Sequence, residues 1–148
     1  MGTRSYIMLQ ADDGSVRRIY CQEDGYVEGV GRTLTEHHNS DASARKIIAL
    51  GDLSGLSARL DAPEGHSFDT PVEGCTVAYG RDRKEKGVRA QRFGDLNAAW
   101  PSPDDWVKFV YVRRNGCWYV APAGSAPVWL MPVSEVLTKL SLEARAAA

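Results

Sequence analysis

The sequence predicts a single α+β domain, an antiparallel sheet of about five to seven strands built from hairpins and packed against two or three helices. Three observations predict it. β-rich runs flank Asp13-Gly14 and again Asn115-Gly116, pairs suited to tight hairpin turns because Gly accepts positive φ. Apolar residues recur at helical spacing from Val27 and again from Val133. The strands come mainly as hairpins, which argues against a doubly wound parallel sheet. The 148 residues, 43% of them hydrophobic, suit one ordinary domain with a core of its own.

In chain order, "SYIMLQADDGSVRRIYC" reads as the first hairpin. A two-residue turn pairs Met8 with Ile19 and Ile7 with Tyr20, placing Ile7, Leu9, Val16 and Tyr20 on one face. Val27, Val30, Leu34 and His38 then follow helical spacing, with a start near Gly29 or Gly31 because Gly31 inside a helix costs about 1 kcal/mol. Asp41 is an N-cap candidate for a second helix over Ala42–Leu50, closed by Gly51. The turn-rich stretch from Gly51 to Gly74 reads as one irregular connection, with a single helical turn around Leu53 to Leu56.

"CTVAY" reads as a strand running into "GRDRKEKG", with "VRAQRF" as its return. "GDLNAAWPSPDD" is a loop with one helical turn, stopped by Pro101 and Pro103. The Asn115-Gly116 hairpin pairs Val112 with Tyr119 and Tyr111 with Val120. Both its faces are apolar, so it belongs at the centre of the sheet or one face meets a partner, a homodimer included. Pro132 fits the first turn of a last helix whose apolar stripe is Val133, Val136, Leu137, Leu140 and Ala144, with "EARAAA" fraying.

The charge is balanced, 18 basic against 19 acidic residues, which argues against a general duplex-DNA binder and against an acidic DNA mimic. Cys21, Cys75 and Cys117 form no CxxC pair and suit free thiols in a reducing compartment. With no secretory signal and no apolar run near the ~18 residues of a membrane span, the expected location is cytosolic, with no membrane partner.

Two segments could carry chemistry. Gly25, Gly29 and Gly31 match neither GxGxxG nor a P-loop, yet a Gly-rich turn feeding a helix can hold an anion on free N–H groups, with Arg32 as a charged fork. Glu23, Asp24 and Glu28 oppose that, and the glycines read first as a structural turn shaping the entry of the helix, with the anion site the sharper minority reading. In "YGRDRKEKG", Arg81 and Arg83 share one face if the segment is a strand, and Lys84 and Lys86 add charge. The alternative is a solvated hairpin tip with mutually paired charges. A ligand site would lie where this segment faces the Gly25–Gly31 turn, a base stacking on Tyr26 or Tyr79.

Adjacent His37 and His38 diverge by about 100° on a helix, and no zinc spacing or nucleophile set can be assembled. No cofactor is expected. Of the four tryptophans, Trp100 and Trp129, beside prolines, are the expected exposed ones and interface candidates.

"MGTRS", "YCQEDGYVEGVGRTLTEHH", "ALGDLSGL" and "AYGRDRKEKGV" resemble, in order, landmarks of small proteins encoded by phages and prophages, over roughly residues 1 to 88. The chain departs from that pattern in having Gln22-Glu23 in place of His-Trp and Lys84-Glu85 in place of Gly-Glu. The missing His leans against an enzyme. The resemblance implies a phage setting in a bacterial cytosol and, by analogy with anti-CRISPR proteins, counter-defence. The first expectation is a stoichiometric inhibitor that binds a host defence protein or ribonucleoprotein complex. The second is sequestration of a nucleotide signal at Gly29–Arg32, Arg81 and Arg83. The third is a small phosphodiester hydrolase.

Overall fold

The first hairpin closes through three residues, and that one extra residue resets its register. In the computed structural model, which describes residues 2–147, β1 (Ser5–Gln10) and β2 (Val16–Cys21) pair antiparallel with Ile7 opposite Ile19 and Gln10 opposite Val16. The Gly14 N–H donates to the Ala11 carbonyl at 2.9 Å, and Gly14 takes φ +91°. This is a type I turn followed by a left-handed residue, the usual three-residue hairpin loop. A slip of one residue turns side chains to the other face. Val16 therefore packs with Met8, and Tyr20 lies opposite Tyr6, not on the face of Ile7 where a two-residue turn would put them.

The second hairpin has the predicted register. β6 (Phe109–Arg114) and β7 (Cys117–Pro122) place Val112 opposite Tyr119 and Tyr111 opposite Val120, with Asn115 and Gly116 at φ +49° and +73°. The remaining strands are short: β3 (Leu53–Gly55), β4 (Val77–Ala78), β5 (Gln91–Phe93) and β8 (Met131–Pro132). The sheet runs β4-β3-β2-β1-β6-β7-β8, and β5 adds to β2 alongside β3.

The fold class is α+β, but the sheet is mixed rather than antiparallel. β1 runs parallel to β6, with Ile7 beside Tyr111, and β2 runs parallel to β3 at Cys21 and Leu53. Turn chemistry sets pairing within a hairpin and says nothing about how two hairpins meet. Three local expectations are corrected with it. Leu53–Gly55 is a strand, not a helical turn. The strand expected at Cys75 to Tyr79 shrinks to Val77–Ala78. Gln91–Phe93 pairs with β2 instead of returning along β4.

The helices are α1 (Arg32–His37), α2 (Asp41–Leu50), α3 (Tyr79–Arg83), α4 (Leu96–Ala99) and α5 (Val133–Ala147). A π-turn, Val27–Gly31, leads into α1. Ser40 caps α2 by accepting the Ser43 N–H at 3.1 Å, which leaves Asp41 free to hold Arg113. α5 stays helical through "EARAA".

One face of the sheet, with Ile7, Ile19, Leu53, Tyr111 and Trp118, is covered by Val30, Leu34, Ile47, Ile48 and Val133. The other, with Met8, Val16, Val110 and Val112, packs under Leu96 and Ala99. Both faces of the second hairpin are thus largely packed within the chain.

The Ser5 hydroxyl is buried at the edge of this core without a hydrogen-bond partner. Removing a buried polar group that has no partner relieves a desolvation penalty. Ser5→Ala is expected to raise stability by about 1 kcal/mol in urea unfolding.

Candidate functional site

The Gly-rich turn is closed by its own backbone. The Val30 N–H donates to the Asp24 carbonyl at 2.7 Å and the Gly29 N–H to that of Tyr26 at 2.9 Å. An added Cβ on Gly29 would stand 2.2 Å from the Asp24 oxygen, and one on Gly31 would stand 3.2–3.3 Å from Tyr111, Val27 and Val133 side chains. These glycines let the chain approach itself, and two N–H groups an anion would need are already bonded. Arg32 points to solvent and pairs with Glu36 at 3.8 Å. Tyr26 is half exposed, its hydroxyl 3.4 Å from Asp24.

The basic segment is a helical turn rather than a strand, so Arg81 and Arg83 do not share a strand face. The Arg81 guanidinium is taken up internally: Nε donates to Asp82 Oδ1 at 2.8 Å, Nη2 to the Thr76 carbonyl at 2.7 Å, and Nη1 to the Leu60 carbonyl. Asp82 also accepts the Ala78 N–H at 2.8 Å and contacts His66 Nε2 at 3.2 Å. Because His66 Nδ1 accepts the Val72 N–H, its proton sits on Nε2 and donates to Asp82. Burial pushes the Asp82 carboxyl up, but the bonds from Arg81, Ala78 and His66 outweigh it and hold the pKa at about 2. This network clips the long Leu56–Cys75 connection to α3.

Arg83 lies over the rings of Phe68 and Tyr79, at 4.3 and 4.8 Å, and pairs with Glu85 at 2.6 Å. The Tyr79 hydroxyl donates to Gln22, so the segment does lie against the strand end that leads into the Gly-rich turn. Lys84 and Lys86 are exposed, Lys84 as the left-handed cap of α3.

His38 is a core residue. Its Nδ1 lies 2.7 Å from the Ser43 hydroxyl and its Nε2 2.9 Å from the Ser57 carbonyl. Burial lowers its pKa, against the Ser57 bond that favours the charged form. Burial pushes the Cys21 thiol up to about 12, so it is no nucleophile at neutral pH. Among the described residues no three His, Cys, Asp or Glu side chains gather as a metal site.

Trp129 is 67% exposed, but Trp100 is not its companion: its ring packs on the second face of the sheet and its Nε1 donates to the Ser125 carbonyl at 3.0 Å. Trp106, at 75%, is the other exposed tryptophan, turned outward by a left-handed backbone at φ +61°. Around Trp129 lie exposed Val128 and Met131. An apolar cleft of about 270 Å³ opens beside them between β7, β8 and α5, lined by Phe109, Val120, Trp129, Met131, Val136 and Leu140.

The sequence reading missed a second cleft. Arg17, Arg45, Arg92 and Arg113, from four elements, converge with Asp12 and Asp41 around about 390 Å³, while Arg114 at its rim stacks its guanidinium on Tyr119, at 4.7 Å, on the other face of the sheet. Only the paired arginines at 17–18 and 113–114 hinted at it, and their partners are set by strand order.

The fold and these surfaces define a single-domain α+β protein with an apolar cleft and a cationic cleft among its surface features. No helix among the described residues is long and apolar enough to cross a membrane. No family model, no curated protein and no solved structure matches the chain.

Proposed function

We propose that the protein acts by stoichiometric binding, as a phage-encoded inhibitor of a host defence protein or ribonucleoprotein complex. The observation that carries the binding reading is exposed Trp129 and Met131 lining the apolar cleft, with exposed Val128 next to Trp129 in the chain. Large apolar side chains grouped around a cleft suit a partner surface, and a tryptophan anchor is the commonest kind of hot spot. β8, Met131–Pro132, forms an edge of the sheet beside it. The phage setting and the defence target rest on the resemblance of residues 1 to 88 alone.

Nucleotide sequestration at Gly29–Arg32 and Arg81 has less support, since the turn is closed on itself and Arg81 is occupied. For a hydrolase, the buried His38 and the Asp82-bound His66 are both engaged in structural bonds.

An affinity pull-down from host lysate, with bound proteins and heat-released small molecules identified by mass spectrometry, tests the proposal. One host protein in near-stoichiometric amount is expected, and Trp129→Ala should weaken its binding by about 30-fold or more. Equal recovery with the variant would move the interface away from the cleft. A released nucleotide without a protein partner would overturn the inhibitor reading.

A further inference from the structure

We infer that the arginine cleft is a binding site for a small phosphorylated ligand, held through its phosphate oxygens. Strand register builds it. Across β5, β2, β1 and β6, Arg92 lies opposite Arg17, Arg17 opposite Leu9, and Leu9 beside Arg113. Side chains of paired residues point to the same face of a sheet, so Arg92 and Arg17 stand next to each other with like charge. Such a pair is destabilising unless something answers it.

Among the described residues no carboxylate answers it: Arg17, Arg45 and Arg92 have none within 4.0 Å. Arg113 is 3% exposed and held rigidly, Nε on Asp41 at 3.1 Å and Nη1 on Asn39 at 2.8 Å. That leaves Nη2 without a hydrogen-bond partner among the described residues. Asp41, one of the two carboxylates present, is thereby paired.

The ligand class follows from these groups. Guanidinium forks match phosphate oxygens two at a time, and several around one cavity suit a multiply charged group. Leu9, on the same face as Arg17 and Arg113, gives the cleft an apolar part for the remainder of the molecule. A nucleic acid needs a basic track along its backbone, whereas this chain carries net charge −1 and these arginines surround a single cavity. A compact phosphate compound is the better match.

The test is thermal unfolding and calorimetry of the full chain with inorganic phosphate, pyrophosphate and ATP, each against sodium chloride of equal ionic strength. At about 1 mM, pyrophosphate or ATP should raise Tm by about 5 °C. Arg92→Gln should weaken binding by about 10-fold or more, while its Tm without ligand holds or rises because the like-charge contact is gone. That split separates a lost ligand contact from a damaged fold. ATP binding much tighter than pyrophosphate would identify a nucleotide, and equal binding the phosphate group alone. The inference fails if no phosphate compound acts beyond the salt control, if Arg92→Gln binds unchanged, or if only an oligonucleotide binds.

Discussion

Gly29→Ala is expected to cost about 3 kcal/mol of folding stability, the upper end for overpacking. The new Cβ would sit 2.2 Å from the Asp24 oxygen and 3.1 Å from its carbonyl carbon. Those are backbone atoms, and the same oxygen accepts the Val30 N–H. Relief therefore means opening the π-turn that carries Val27 and Val30 into the core. Gly31→Ala meets side chains instead, at 3.2–3.3 Å, and should cost about 1 kcal/mol. Gly94→Ala, with no atom within 4 Å and no left-handed φ, should be neutral or slightly stabilising. Urea unfolding followed by tryptophan fluorescence ranks the three. Wild-type stability in Gly29→Ala would mean that the turn does not close on Asp24.

Asp82→Ala should cost about 3–5 kcal/mol, because it leaves Arg81, the His66 Nε2–H and the Ala78 N–H without their common acceptor. Asp82→Asn keeps an acceptor and should cost less. Acid separates the charge from the packing. A carboxyl held at about 2 against an ordinary 3.8 binds its proton more readily in the unfolded chain. Its contribution, about 2 kcal/mol, is complete above pH ~4 and is lost as pH falls toward ~2. Urea midpoints between pH 5 and 2 should fall more steeply in the wild type than in Asp82→Ala. Parallel curves would mean that Asp82 carries no special share of the acid sensitivity.

Elements whose signal is local were legible. Asn115-Gly116 demands left-handed φ at two successive positions, which few other pairs accept, and its hairpin has the predicted register. The α5 stripe packs as its spacing says through Val133, Val136, Leu137 and Leu140, while Ala144, its last expected member, is exposed. Asp13-Gly14 carries a nearly identical signal and misleads by one residue, because the Asp13 carboxylate accepts from the Ser15 N–H at 2.9 Å and favours the longer loop. The charged run at Arg81 looked like a ligand face for want of a visible partner. Its partners are the carbonyls of Leu60 and Thr76, and main-chain acceptors carry no mark in a sequence.

By itself, then, the sequence determined the α+β class, the second hairpin, the last helix and an exposed Trp129. Each depends on residues within about one turn or one strand of each other. Tertiary structure alone decided the parallel joining of β1 to β6, the mixed sheet, the partial burial of Trp100 and the two clefts. Nothing near Arg17 says that Arg92 will stand opposite it. That follows from which strands share an edge, and the edge is chosen by burying Ile7, Ile19 and Tyr111 together under the helices.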